Sequence, residues 1–325
     1  MKEIKGGTFL VTGGAGFIGS NIVGELLAQG AQKVRVLDDL SGGSEENIKE
    51  FRTDKRFDFI KGDIRDLKTC EKACEEMEYI SHQAALCSVP RSIEEPTLFA
   101  DVNISGFIQV LEAARKAGVK RVVYASSSSV YGDKPAMPKT EDDIGEPLSP
   151  YAATKRANEL YGRIFANIYD MQIIGLRYFN VFGPKQNPQG AYAAAIPLFI
   201  NMILRGESPK IFGDGEQLRD FTYIDNVVDL NLKALFSEKA PAKGEVYNGA
   251  CGRKASVNEL FANLKQISGG DIEALYMPER KGDIRDSLAD ISRAKEYLDY
   301  APLVNFREGL EKTFRWFKDR NAGDK

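Results

Sequence analysis

The chain has 325 residues, 43% hydrophobic and 28% charged, with a formal net charge of −3, the profile of an ordinary soluble globular protein with room for two interleaved domains. No basic excess points to nucleic acid or an anionic membrane surface, no apolar run is long enough to span a bilayer, and MKEIKGGTFLVTGG enters a strand pattern directly rather than a leader, so a cytoplasmic location is expected. The single histidine, His82, removes most mechanisms built on a histidine base, and with it no metal set assembles from Cys70, Cys74, Cys87 and Cys251, which read as free thiols in a reducing compartment.

Strand and helix patterns alternate through the first half. TFLVTGG (8–14) predicts a buried strand, FIGSNIVGELLAQG (17–30) a helix ended by Gly30, and VRVLDDL (34–40) a second strand. FDFIKGDIRD (57–66), EYISHQAAL (78–86) and RVVYASS (121–127) are further strands. NISGFIQVLEAARKAG (103–118) is an amphipathic helix with Gly118 as its stop, and Cys70 and Cys74 share a helix face. This alternation predicts an α/β fold, a Rossmann-type doubly wound parallel sheet covered by helices. In the second half, MQIIGLRYFNVFG (171–183) reads as one buried strand, DNVVDLNLKALF (225–236) as a helix with Asp225 as its cap, and GEVYNGA (244–250) as a short strand. The Gly/Pro-rich pieces between them predict a smaller C-terminal α/β domain over the carboxyl edge of the sheet. The expected division is 1–178 plus about 222–250 for a dinucleotide, and about 179–221 plus 251–325 for the substrate.

Gly13, Gly16 and Gly19 are three apart and fall between a strand and a helix, the context that makes a dinucleotide fingerprint of a glycine pattern. Pyrophosphate oxygens must reach backbone N–H groups at the helix start, and a Cβ would block them. Gly13, Gly16, Phe17, Ile18 and Gly19 are therefore candidate cofactor residues. Asp38, about 20 residues further on at the end of the second strand, can bind the ribose hydroxyls. No arginine follows it, which favours NAD over NADP. Asp63 and Ile64, where the third strand ends, can bracket the adenine.

SPYAATK puts Tyr151 and Lys155 four apart, on one face if Ser149-Pro150 opens a helix. A free tyrosine is a poor base, with a pKa of about 10. A neighbouring ammonium and a cationic nicotinamide ring would bring the phenol toward neutrality. Lys155 could also hold the nicotinamide ribose. The serine run of YASSSSVYG (124–132) closes the strand just upstream.

Together, TGGAGFIGS, SSSSVYG, SPYAATK, LRYFNVFGP and FGDGEQLRDF resemble the extended short-chain dehydrogenase/reductases that act on nucleotide sugars, over nearly the whole chain. Within that family the chain is most similar to UDP-hexose 4-epimerases. HQAALCSVPRS and QNPQGAYAAAIP look most like the UDP-N-acetylglucosamine 4-epimerases. The resemblance implies that Tyr151 takes the proton of the sugar 4-hydroxyl while NAD takes the C4 hydride. Ser127 would bond the 4-oxygen, with Ser128 as a further contact, and the 4-keto sugar would turn over and be reduced on its other face. Ala84 and Tyr178 would complete the cofactor set. Asn180, Arg219, Arg280 and Asp283 would hold the UDP, with Phe212 against the uracil and Gln186 and Ala194 walling the sugar. The resemblance also implies a homodimer paired through the helices that begin near Asn103 and Tyr151, and surface polysaccharide synthesis as the pathway.

The same fold hosts dehydratases and decarboxylases. In the dehydratases the serine or threonine is followed by Asp-Glu, whereas Ser127 is followed by Ser128 and Ser129, which favours epimerisation. For a uronate carboxylate only Arg91 or Arg177 could be argued. Ser287 matches a gate that is a bulky tyrosine in glucose/galactose-only epimerases, so an N-acetyl group would fit. Cys87 stands where the N-acetyl-preferring branch has glycine, which narrows the pocket slightly. UDP-glucose or UDP-glucuronate 4-epimerase, a 4,6-dehydratase and a non-catalytic NAD-sensing protein are the competing readings.

Overall fold

The computed structural model describes residues 4–188, 194–279 and 286–323. Its first part runs β1 (Thr8–Thr12), α1 (Phe17–Ala28), β2 (Lys33–Asp38), β3 (Phe57–Lys61), α2 (Leu67–Cys74), β4 (Tyr79–His82), α3 (Val89–Glu94), α4 (Pro96–Ala100), α5 (Gly106–Ala117), β5 (Arg121–Ser127), α6 (Pro150–Ile168) and β6 (Ile173–Tyr178). It continues through β7 (Val181–Phe182), α7 (Ala195–Leu204), β8 (Lys210–Phe212), β9 (Leu218–Asp220), β10 (Thr222–Tyr223), α8 (Ile224–Phe236), β11 (Lys243–Gly249), β12 (Lys254–Ser256), α9 (Val257–Ser268), β13 (Leu275–Met277), α10 (Ser292–Leu298) and α11 (Phe306–Gly323).

Seven of these strands form one parallel sheet in the order β11-β6-β5-β4-β1-β2-β3. Both of its faces are buried, as the unbroken apolar runs of its strands require. Phe9, Val11, Val36, Val123 and Leu176 pack on one face with residues of α1 and α8. Leu10, Leu37, Ile80, Val122 and Tyr124 pack on the other with α2, α5 and α6. The expected Rossmann-type sheet is therefore present. Its order reverses between β1 and β4, and the crevice above that switch point is where such sheets take ligands.

The remaining elements build a smaller α/β layer of two-stranded sheets, β7–β10, β8–β13 and β9–β12, packed with α7, α9 and α11. Among the described residues no helix is long and apolar enough to cross a membrane.

Three local expectations change. The stretch 171–183 is two strands, because the chain turns at Asn180, whose φ of 36° lies in the left-handed region that asparagine tolerates. Asp225 is not a cap: Tyr223 is, and Asp225 sits in the first turn of α8, where its charge favours the positive helix end. The helix expected from Asn103 begins earlier, because α4 runs through a π-helical turn, Asp101–Ser105, into α5. Gly118, with φ of 68°, ends it as expected.

Candidate active site

The glycine turn closes on itself and on the exit of β4. Gly16 N–H donates to Gly13 O at 3.0 Å. A Cβ on Gly13, whose φ is 67°, would stand 2.6 Å from Ala84 N. One on Gly19 would stand 2.2 Å from Gly13 O. Gly16 caps α1 with extended backbone and no side-chain hydrogen bond, so the first N–H groups of the helix, at Phe17 and Ile18, have no partner within the helix. This is a cradle that side chains would fill, and it fits a pyrophosphate. Gly19→Ala sets a methyl against backbone that cannot yield. It is expected to weaken NADH binding at least about tenfold, read by fluorescence titration; an unchanged affinity would contradict the cradle.

Asp38 ends β2 beside this turn. Its carboxylate accepts from Ala15 N–H at 2.9 Å and Leu40 N–H at 2.8 Å, and burial raises its pKa against those bonds. Each oxygen keeps a lone pair for a ribose hydroxyl. Asp63 is tied to Arg65, whose guanidinium also meets Asp101, and Ile64 is buried against Gly106. Tyr178 ends β6 directly opposite Ser127 in the sheet register. Its hydroxyl donates to Gln83 Oε1 at 3.2 Å and accepts from Asn231 Nδ2 at 2.8 Å.

The serine run splits three ways. Ser126 points into the core, Ser127 ends β5, and Ser128 opens a 3-10 turn, Ser128–Tyr131. Ser127 Oγ accepts from Ser129 N–H at 3.1 Å. Helix α6 starts as expected, with Ser149 Oγ accepting from Ala152 N–H at 3.1 Å and Pro150 at the first helical position. That start brings Tyr151 to Ser127, whose hydroxyl pulls the phenol pKa down. Lys155 is 3% exposed and donates from Nζ to Ala125 O at 3.0 Å. Burial pushes it down to about 8, so it remains an ammonium at neutral pH. Cys87 is solvent-accessible yet interacts electrostatically with both Tyr151 and Lys155, which brings it to the same spot.

Burial works against one expectation here. It holds the Tyr151 phenol above its usual pKa, with Cys87 adding to the rise and Ser127 opposing it. The Lys155 ammonium bonds Ala125 O. A phenolate at this position needs a further positive charge. His82 is buried with Nδ1 2.8 Å from Thr12 Oγ1, and burial pushes its pKa down to about 3, so it stays neutral.

The residues expected to hold the nucleotide meet along β9. Asn180 Nδ2 donates to Asp220 O at 3.2 Å, next to Arg219. Ser287 N–H donates to Leu218 O at 2.9 Å, which brings the half-buried Ser287 alongside the same strand. Asp220 is buried and accepts N–H groups of Cys251 and Gly252, both at 3.0 Å, and of Ala289 at 3.3 Å, locking these segments together. Gln217 Nε2 donates to Phe212 O at 2.9 Å. Gln186 Nε2 donates to Val181 O at 3.2 Å, while its Oε1 is buried with no partner. Ala194 caps α7. Arg280 and Asp283 lie outside the described residues.

Sequence reading missed Asn103. It is 2% exposed, and its amide bonds both the N–H and the carbonyl of Leu86 at 2.8 and 3.0 Å and reaches Thr154 at 3.1 Å. It thereby fixes the segment between Ala84 and Cys87 against α6. Its signal was an asparagine on the apolar side of a helix pattern. The uronate reading also loses ground. Arg177 is 1% exposed and bidentate to Glu159, and Arg91 pairs with Glu95.

Residues 9–250 match the NAD dependent epimerase/dehydratase family. The chain is 41% identical over 315 residues to the UDP-glucose 4-epimerase of Mycolicibacterium smegmatis, covering 96% of this chain and 99% of that one. Among solved structures it is similar to the UDP-N-acetylglucosamine 4-epimerase of Methanobrevibacter ruminantium, in complex with UDP-N-acetylmuramic acid. The TM-score is 0.92 and the identity 40%, over 97% of this chain and 99% of that one. It is also similar to a dTDP-glucose 4,6-dehydratase of Streptomyces venezuelae with NAD bound, with a TM-score of 0.88 and 34% identity, over 97% and 98% of the two chains.

Proposed function

The chain belongs to the NAD-dependent epimerase/dehydratase family, and from that premise we propose that it is a UDP-hexose 4-epimerase that interconverts UDP-N-acetylglucosamine and UDP-N-acetylgalactosamine through a 4-keto intermediate. The observation that carries the choice is the surroundings of the reactive pair. Ser127, at the end of β5, is followed by Ser128 and Ser129, so no carboxylate stands at the two positions after it. Elimination of water would need an acid and a base there, whereas epimerisation needs only the group that moves the 4-hydroxyl proton.

Bound NAD supplies a reversible hydride acceptor at C4, and its oxidised ring supplies the positive charge that Tyr151 lacks. Tyr151 takes the proton from the 4-hydroxyl and returns it from the same oxygen. Ser127 hydrogen-bonds both the phenol and the 4-oxygen, and so relays the proton. Lys155 sets the field at the phenol and holds the nicotinamide ribose. Residues 1–178 with about 222–250 carry the cofactor, and about 179–221 with 251–325 carry the UDP-sugar. Asn180 and Arg219 hold the diphosphate, where the planar fork of arginine suits paired oxygens. Phe212 flanks the uracil, and Ser128, Gln186, Ala194 and Cys87 border the sugar. The small Ser287 leaves room for the N-acetyl group.

Two copies pair through α5 and α6. Leu160, Ile164 and Ile168, at 50%, 46% and 68% exposure, form an apolar stripe along α6 at helical spacing that supports this face as the contact.

UDP-glucose is the second reading, since a pocket that admits an N-acetyl group also admits a hydroxyl. Incubating the purified protein with UDP-N-acetylglucosamine, UDP-glucose and UDP-glucuronate separately, then resolving the sugars, tests the proposal. The C4 epimer of the N-acetylated sugar is expected. Turnover of UDP-glucuronate alone would overturn it.

A further inference from the structure

Helix α6 meets β5 once per turn. Tyr151 comes to Ser127, Lys155 bonds Ala125 O at 3.0 Å, Glu159 accepts from Ser126 Oγ at 2.7 Å, and Gly162 lies against Tyr124, where an added Cβ would be 3.2 Å from the ring. The first two contacts are the reactive site, and the last is a steric stop. The third involves a carboxylate that is also ion-paired. Glu159, 4% exposed, takes Arg177 Nε at 2.8 Å and Nη2 at 2.9 Å, so that β5, β6 and α6 share one carboxylate. Arg177 Nη1 carries the same network on to the Tyr131 hydroxyl at 3.1 Å and Glu141 O at 2.8 Å. The Tyr131 hydroxyl in turn donates to Asn248 Oδ1 on β11 at 2.6 Å.

We propose that Glu159 is a positioning residue: clamped by Arg177 and Ser126, it fixes the axial height of α6 over the sheet, and thereby the reach of Tyr151 and Lys155 to Ser127 and the sugar C4 oxygen. This rests on the reading of Tyr151 as the proton-transfer group. Burial works to raise the Glu159 carboxyl, but the bonds from Arg177, Ser126 and Arg156 outweigh it and hold it below the ordinary range, so it is an anion. An ion pair this deep contributes little net stability over apolar groups of the same volume, so its presence is better accounted for by geometry than by stability. A rigid pair holds one helix height, whereas an apolar contact tolerates sliding. Reaction geometry is sensitive to that: a misplacement of about 1 Å can cost about a hundredfold in rate.

Glu159→Asp keeps the charge and shortens the reach by one methylene. It is expected to lower kcat at least about tenfold with KM within about twofold. The double variant Glu159→Leu/Arg177→Met removes the charges together, so its Tm is expected within a few degrees of wild type while kcat stays low. A kcat for Glu159→Asp within about twofold of wild type, or a double variant that recovers both Tm and kcat, would overturn the proposal. A second readout needs no sugar. The phenol of Tyr151 is titrated with NAD present, as the ultraviolet difference between the protein and its Tyr151→Phe variant. In Glu159→Asp the midpoint is expected to rise by about half a pH unit or more, as the phenol moves away from the Ser127 hydroxyl that holds it down; an unmoved midpoint would overturn the proposal. If the wild type turns over none of the three UDP-sugars, the proposed function fails, and the titration still decides the role of Glu159.

Discussion

Tyr151→Phe is expected to lower kcat by about two to four decades while NAD remains bound, the usual size of general acid–base catalysis. The substitution removes one oxygen and keeps the ring, whose edge-to-face contact with Phe99 at 6.5 Å between centroids is unaffected. The fold and the glycine cradle do not depend on that oxygen, so KM and cofactor content should hold. What is lost is the proton acceptor beside Ser127, whose role neither Lys155, bonded to Ala125 O, nor His82, buried and neutral, can take. The same geometry sets the pH dependence. Burial raises the Tyr151 phenol and lowers Lys155 to about 8. Without the cofactor's charge the phenol stays protonated across neutral pH, so oxidation of substrate should strengthen as pH rises toward the phenol midpoint. Steady-state rates with cofactor content measured after denaturation check both parts. Wild-type turnover by the variant would remove Tyr151 from the mechanism.

The second large effect is on choice of sugar. Ser287→Tyr is expected to cut kcat/KM for UDP-N-acetylglucosamine at least about a hundredfold while leaving UDP-glucose within a few-fold. The backbone at this position is pinned. Ser287 N–H bonds Leu218 O at 2.9 Å, and Asp286 Oδ1 accepts from Leu218 N–H at 3.1 Å, so the segment is stitched to β9 beside Arg219. A larger side chain cannot be absorbed by moving the strand away. On the proposed reading its bulk enters the space that the N-acetyl group needs while the keto sugar turns over. Unchanged activity on the N-acetylated sugar would remove Ser287 from the gate.

The parts of this protein that were legible in the sequence are those specified by local chemistry. Gly13 and Gly19 mark the turn because a Cβ there would fall within 3 Å of backbone, and Ser149-Pro150 marks the start of α6 because cap and first-turn preferences are local. RVVYASS ends as a strand at Ser127, as read. What was not legible depends on distant partners. Arg177, in the middle of LRYF, looks like any strand arginine, and only its pairing with Glu159 across the sheet and helix withdraws it from a ligand role. The break at Asn180 reflects the need of β7 to pair with β10, forty residues on in sequence. Charge coupling at spacing four is also a weak guide to a pKa: Tyr151 and Lys155 share a face, yet the lysine prefers a carbonyl of β5 and burial outweighs it. Asn103 was hidden because a buried polar side chain that holds a loop has the same sequence signature as a helix imperfection.

Epimerisation at C4 by a cofactor that is regenerated in each turnover is tested most directly with UDP-N-acetylglucosamine carrying deuterium at C4. The proposed reaction gives UDP-N-acetylgalactosamine with the deuterium still at C4 and no solvent hydrogen in its place, since the hydride leaves and returns on the same bound ring. Loss of the label to water, or a 4-keto-6-deoxy product, would contradict it.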